Sequence, residues 1–254
     1  MQVVSLQSGS NGNCYVVEGG GVRVLVDAGL SGREARRRLA SVGRDIDDTD
    51  ALLVSHDHSD HSRCAGIYHR MFGVEIHATA GTMRTASRKL SLGRLGPVRR
   101  FPPGRDLHIG ELRVETIPTP HDGTDPVSFV FDDGRRRLGI LTDLGHVFDG
   151  LADLIASLDA VIIESNYDER MLETGPYPRF LKRRIRGRGG HISNIESARL
   201  IDQAGGRLTW ACLAHLSQTN NSPDTALRTF RDVLGDGPAL HLAGRHAATK
   251  IMTV

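Results

Sequence analysis

The chain has 254 residues, 39% hydrophobic and 24% charged, and a formal net charge of only +2, which predicts one soluble globular domain, residues 1–254, with a sizeable core. The charge excludes a general polycation, so any nucleic-acid footprint must be local. No stretch approaches the ~18 uninterrupted apolar residues of a membrane span, so no membrane partner is expected.

The opening Met1-Gln2-Val3-Val4-Ser5-Leu6 reads as a first strand and not as a signal peptide. Strands are predicted near 3–7, 13–18 and 22–26, a helix near 31–42, a strand near 51–54 and a helix near 61–72. A strand near 74–78 and a helix near 79–89 follow, then strands near 112–117, 127–132 and 137–142. Asp132-Asp133-Gly134 marks a hairpin turn between the last two. The remaining elements are helices near 147–157, 177–186, 193–204 and 223–234 and strands near 159–163, 208–213 and 239–243. Ser193 is a fitting N-cap, and Ser222-Pro223 opens the last long helix with proline in its first turn. No linker and no internal repeat is visible. Cys14, Cys64 and Cys212 are widely spaced and imply neither a disulfide framework nor a Cys-x-x-Cys site, so a reducing cytoplasm is the expected compartment.

The most informative stretch is His56-Asp57-His58-Ser59-Asp60-His61, directly after the apolar run Ala51-Leu52-Leu53-Val54. In an extended segment His56 and His58 point the same way. Asp60 and His61 fall where the chain turns into a helix and face a second point. This spacing suits two adjacent ions better than one. A polar loop with chance histidines is the bland alternative.

The motif resembles the signature of the metallo-β-lactamase superfamily. The resemblance implies an α/β fold, the αβ/βα four-layer sandwich. It also implies a ligand set of His56, His58 and His121 for one divalent ion and Asp60, His61 and His215 for another, with Asp143 between them. His121 follows Ile117-Pro118-Thr119-Pro120, Asp143 ends the run Leu138–Thr142, and His215 follows Leu208–Leu213. Asp27, after Val22–Val26, matches the aspartate that orients the ligand loop. Imidazole and carboxylate donors suit Zn²⁺ or Mn²⁺, with Fe²⁺ as a further candidate. A water shared by two such ions is acidified and attacks as hydroxide. Only 71 residues separate Asp143 from His215, too few for the extra domain of the β-CASP nucleases.

His69, His77, His108, His146, His241 and His246 have no partner at metal-ligand spacing and read as surface or core residues, although His146 lies near Asp143. His191, in Gly189-Gly190-His191-Ile192-Ser193-Asn194, stands where a helix should begin, a place where backbone N–H groups bind phosphate. Glu164 ends the strand Asp159–Ile163. Spacing leaves two readings open: a loop histidine and a strand-end acid that never meet, or a carboxylate–imidazole pair suited to proton transfer.

A closer resemblance favours the pair. Ser8–Cys14, Glu164-Ser165-Asn166-Tyr167-Asp168, Leu181–Ile185, Gly190–Asn194, Leu213–Ser217 and Asn220-Asn221 resemble the WalJ/YycJ-like branch of the superfamily, as does His121-Asp122 with Asp125-Pro126-Val127. Ile192 departs conservatively from the leucine often found there. The branch implies a DNA exonuclease that digests duplex from the 5′ end, with links to repair. The implied catalytic residues are Asp60, Glu164 and His191, His191 acting as general acid or phosphate contact. Arg179, Lys182, Arg183, Arg184, Arg186 and Arg188 lie just before His191 and are expected, with Ser193 and Asn194, to grip a DNA strand. The arginine runs at 36–38 and 135–137 read as solvated surface. Two other functions compete: a small-molecule hydrolase of a cyclic phosphodiester, thioester or lactone, and an inactive DNA-binding module.

Overall fold

The run Ala51–Val54 shows no polar alternation, which predicts a strand covered on both faces. The computed structural model, which describes all residues Met1–Val254, shows this arrangement. The first half holds β1 (Gln2–Gln7), β2 (Cys14–Gly19), β3 (Val22–Val26), α1 (Gly32–Ala40), β4 (Ala51–Leu53), α2 (Ser59–Ser62), α3 (Ala65–Phe72), β5 (Glu75–Ala78), α4 (Ala80–Lys89) and β6 (Val98–Arg100). The second holds β7 (Leu107–Ile109), β8 (Leu112–Pro118), β9 (Val127–Asp132), β10 (Arg137–Leu141), α5 (Leu151–Ala156), β11 (Ala160–Glu164), α6 (Glu169–Thr174), α7 (Arg179–Arg186), α8 (Asn194–Ala204), β12 (Trp210–Ala214), α9 (Pro223–Leu234) and β13 (Ala239–Leu242). A last strand, β14 (Met252–Thr253), returns to pair with β1.

The sheets run β14-β1-β2-β3-β4-β5-β6 and β13-β12-β11-β10-β9-β8-β7. Each half starts with antiparallel strands and continues in parallel ones: β3 to β6 in the first, β10 to β13 in the second. The halves thus share one plan although the sequence shows no repeat.

Period-two alternation sorts each strand between two cores. Val24, Val26 and Leu53 meet Ala160, Ile162 and Cys212 between the sheets. Leu25, Leu52 and Ile76 pack outward under Ala35, Leu39, Tyr68 and Ala86 of α1, α3 and α4. Val161, Ile163 and Leu213 pack outward under Ile155, Leu200 and Phe230 of α5, α8 and α9. The result is the expected helix–sheet–sheet–helix sandwich. A small separate cluster of Tyr167, Leu172 and Ile185 seats α6 and α7 as a hood beyond the second sheet. No helix is long and apolar enough to cross a membrane.

Several elements depart from expectation. The helix predicted over 61–72 is two helices, because the backbone N–H of Cys64 donates to Ala28 O at 2.8 Å and breaks the turn. The helix near 147–157 is confined to Leu151–Ala156, with Gly150 in left-handed conformation ahead of it. β6 and β7, each of three residues, are additional edge strands. α6 is an additional short helix, capped by Asp168.

Candidate metal centre

The parallel strands deliver the polar residues to one end of the sandwich, at their carboxyl ends. Asp27 and His215 stand one residue past a strand and Asp143 two, and each has left-handed backbone, with φ of 64°, 56° and 57° respectively. Non-glycine residues there carry strain on the order of 1–3 kcal/mol, which clusters at functional sites. Close backbone approach fixes the loops between them. A Cβ at Gly29 would overlap the carbonyl oxygen of Asp60, so only glycine lets the segment after Asp27 touch the His56–His61 loop.

Histidine after histidine has one ring nitrogen tied to the scaffold, which leaves the other for the centre. His61 Nδ1 donates to Asp27 Oδ2 at 2.7 Å, while its Nε2 lies 3.3 Å from Asp143 Oδ2 and 3.5 Å from Asp60 Oδ2. Asp27 also accepts from Ser55 N at 2.8 Å and Ser55 Oγ at 2.9 Å, so it locks the start of the ligand loop. His121 Nδ1 donates to Gly190 O at 2.9 Å, and its Nε2 lies 3.2 Å from His58 Nδ1. His56 Nδ1 meets Ser55 Oγ at 3.0 Å. His215 Nε2 stands 3.5 Å from Asp60 Oδ2 and 3.6 Å from Asp143 Oδ1.

These donors form overlapping groups: His56, His58 and His121; His56, His61 and Asp143; Asp60, His61 and His215. Within each group the donor atoms lie within 4.8 Å of one another. His56 Nε2 and Asp143 Oδ2 are buried and have no hydrogen-bond partner. Leaving such atoms unsatisfied costs roughly 1–3 kcal/mol each, and a cation between them removes that cost. The donor set fits divalent cations.

The electrostatics agree. Burial pushes His56 well below the ordinary histidine range, so its ring is held neutral, the form that binds metal. Burial acts on Asp143 in the opposite sense, but His215, His61 and His121 around it hold its carboxyl well below the usual range.

His191 and Glu164 meet. Glu164 Oε1 lies 2.5 Å from His191 Nδ1, and Glu164 Oε2 accepts from the backbone N–H of Leu144 at 2.9 Å. Burial disfavours the charged imidazole, yet the charge and hydrogen bond of Glu164 raise its pKa above the ordinary value. The ring stacks on His215 with centroids 5.2 Å apart. His191 lines the same cleft of about 330 Å³ as His58, Asp60, Asp143 and His215, and Tyr177, Leu181 and Arg184 of the hood form its wall.

Ser193 and Asn194 require a correction, because both are buried and committed internally. Ser193 and Glu196 form a reciprocal capping box at the start of α8, and the backbone N–H of Asn194 donates to Tyr167 O at 2.8 Å. This helix N-terminus is therefore closed to phosphate. The basic segment divides. Arg184 makes a two-pronged bond to Asp122 at 2.7 and 3.1 Å, Arg186 pairs with Glu173 at 2.7 Å, and Lys182 donates to Glu173 O at 2.6 Å. Arg188 holds His146, whose Nδ1 donates to Arg188 O at 2.8 Å, so His146 braces the loop before His191. Arg179 and Arg183 are the two of the six that are exposed with neither an ion pair nor a side-chain hydrogen bond, since Arg188, also exposed and without an ion pair, reaches His146 Nε2 at 3.4 Å.

Four further residues, to which the sequence pattern gives no individual role, support the centre. Asn13 Nδ2 lies 2.9 Å from His61 Nε2, and Asn166 Nδ2 donates to His215 O at 2.9 Å. Asp122 Oδ1 lies 3.4 Å from His58 Nε2. Asp57, buried between His56 and His58, accepts from Thr124 N at 2.6 Å and ties the first ligand loop to the loop of His121. Three lie within the blocks that carry the family resemblance, and Asp57 lies inside the metal motif itself.

Residues 22–215 match the beta-lactamase superfamily domain. The chain is 34% identical over 228 residues to exodeoxyribonuclease WalJ of Streptococcus pneumoniae serotype 2, covering 89% of this chain and 85% of the relative. It is 31% identical over 257 residues to exodeoxyribonuclease YycJ of Bacillus anthracis, covering 98% and 97%. Among solved structures, Zn²⁺-bound PqqB from Methylobacterium extorquens shares the fold, with a TM-score of 0.73 at 17% identity over 98% of this chain and 99% of that one.

Proposed function

The chain belongs to the beta-lactamase superfamily, in its WalJ/YycJ branch, and from that premise we propose that it is a metal-dependent phosphodiester hydrolase acting as a DNA exonuclease. Attack from the 5′ end of duplex is the direction that the resemblance implies. The observation that carries the reading is that His191, held by Glu164, faces the same cleft as the clustered donors.

His56, His58 and His121 would hold one divalent ion and Asp60, His61 and His215 a second, with Asp143 between. Such ions, Zn²⁺ or Mn²⁺ by donor chemistry, supply Lewis acidity that activates water and offsets charge on the phosphate. The chain's own groups do the rest. Glu164 accepts the Nδ1–H of His191 and fixes the ring so that Nε2 is the atom offered to the cleft. From there it contacts a phosphate oxygen or gives a proton to the departing sugar oxygen, a role worth ~10²–10⁴ in rate. Arg184 and Asp122 close the wall beside His58 and restrict which way the strand enters.

Metal-stripped and metal-reconstituted protein, incubated with linear duplex DNA, closed circular DNA and RNA, test the reading. The expected result is metal-dependent loss of linear DNA with the circle intact. Cleavage of the circle would replace the exonuclease with an endonuclease, and hydrolysis of small esters alone would remove the nuclease.

A further inference from the structure

From residue 76 to residue 105 the chain carries seven Lys or Arg and no Asp or Glu. The fold gathers several of these cations on α4 and β6. α4 has three faces. Met83 and Ala86 are buried in the core beneath the first sheet. Thr82 Oγ1 donates to Thr124 O at 2.9 Å and Thr85 Oγ1 to Thr124 Oγ1 at 3.1 Å, which fixes the helix to the loop that follows His121. The third face presents Arg84 and Arg88, one turn apart, both exposed and without an ion-pair partner. Arg84 and Arg100 line one groove of about 510 Å³ between α4 and the segment leading into β6. At the far end of α4, Lys89 Nζ reaches Asp57 Oδ2 at 2.8 Å, so the basic surface is continuous with the loop that carries His56 and His58.

Most arginines of the runs at 36–38 and 135–137 behave differently, Arg135 excepted. Arg36 pairs with Asp47 at 2.6 Å, Arg38 with Glu34 at 2.7 Å, Arg136 with Asp159 at 3.0 Å and Arg137 with Glu115 at 2.8 Å. Those cations are neutralised within the protein, whereas Arg84, Arg88 and Arg100 have no acidic partner in it.

We infer that the Arg84–Arg88–Arg100 surface holds the phosphodiester backbone of the DNA that runs on from the metal cleft. The inference rests on the exonuclease reading and adds to it the place where the rest of the substrate lies. Along the axis of α4, Arg84 and Arg88 stand about 6 Å apart, close to two base-pair rises of ~3.4 Å. The contact is to phosphate, so it confers affinity and register but no sequence preference.

The test uses the metal-loaded full chain carrying His191→Ala, to silence cleavage, with and without Arg84→Ala, Arg88→Ala and Arg100→Ala together. Binding of a labelled duplex of about 30 base pairs and of a labelled tetranucleotide is followed by fluorescence anisotropy over a range of salt. The expected result is duplex affinity at least ~10-fold weaker and a log–log salt slope flatter by about 2–3, since each lost phosphate contact removes about 0.9. The tetranucleotide should change far less. The corresponding triple Arg→Lys variant, which keeps the charge, should retain the parent slope. Unchanged duplex affinity and slope in the alanine variant overturn this inference alone, as they would if the surface served an acidic protein. A parent protein that binds no duplex overturns the exonuclease reading and this inference together.

Discussion

Glu164 and His191 stand 27 residues apart in sequence and meet with Oε1 and Nδ1 at 2.5 Å, one at the end of a buried strand and the other at the lip of the cleft. The pair gives the first prediction. His191→Ala should keep its metal and lose ~10²–10⁴ in rate on DNA. The loss on bis(p-nitrophenyl) phosphate should be smaller, because p-nitrophenolate leaves without a proton. Equal losses on both substrates would assign His191 to phosphate binding, and no loss on either would remove it from the mechanism.

The donors themselves give the second. His58 and His215 fall in different groups, the first with His56 and His121 and the second with Asp60 and His61. His58→Ala and His215→Ala should each lower the metal content of the purified protein and abolish nearly all hydrolysis. Metal analysis per chain is the check, with two ions expected in the wild type. Unchanged stoichiometry in both variants would sink the ligand assignment.

Asp27 touches no substrate, yet it holds His61 at 2.7 Å and the start of the ligand loop through Ser55. Asp27→Asn keeps the size of the side chain and removes its charge. Metal affinity, measured by competition with a coloured chelator, should fall ~10–100-fold, with activity restored at saturating metal. Unaltered affinity would show that the aspartate serves the fold alone.

Arg183 and Arg184 are neighbours in sequence with different duties. Arg183 is exposed and unpaired, so Arg183→Ala should flatten the salt slope of DNA binding by about 1 and act equally on all sequences. Arg184 is bound to Asp122, which stands 3.4 Å from His58. Arg184→Ala should therefore change turnover of bis(p-nitrophenyl) phosphate as well. Steady-state kinetics on that ester separate the two, and identical behaviour of both variants would contradict the division.

The centre was legible because its residues are local signals at strand ends. Four donors sit in six residues after Ala51–Val54, and each of the others follows an apolar run that the two-sided burial of the sheets explains. What was hidden depends on distant partners. Val98-Arg99-Arg100 has two exposed arginines in three residues and becomes a strand only by pairing with β5. Met252-Thr253 becomes one only by pairing with the other end of the chain. Ser193 and Asn194 look like a phosphate-binding helix start, and only the capping box and the Tyr167 carbonyl close it. The 179–188 cations look free in sequence, because the acids that engage Arg184 and Arg186 come from elsewhere in the chain. The stretch 76–105 is free of acids in the sequence, but only the fold sets α4 beside the His121 loop.

The most direct test of the central claim is a time course of metal-reconstituted protein on linear duplex DNA labelled at the 5′ end, with the length of the labelled product read at the earliest times. The account predicts labelled mononucleotides or very short products from the first time point, none after chelation and almost none from His191→Ala. A ladder of long labelled fragments, or an intact duplex alongside rapid hydrolysis of bis(p-nitrophenyl) phosphate, would contradict it.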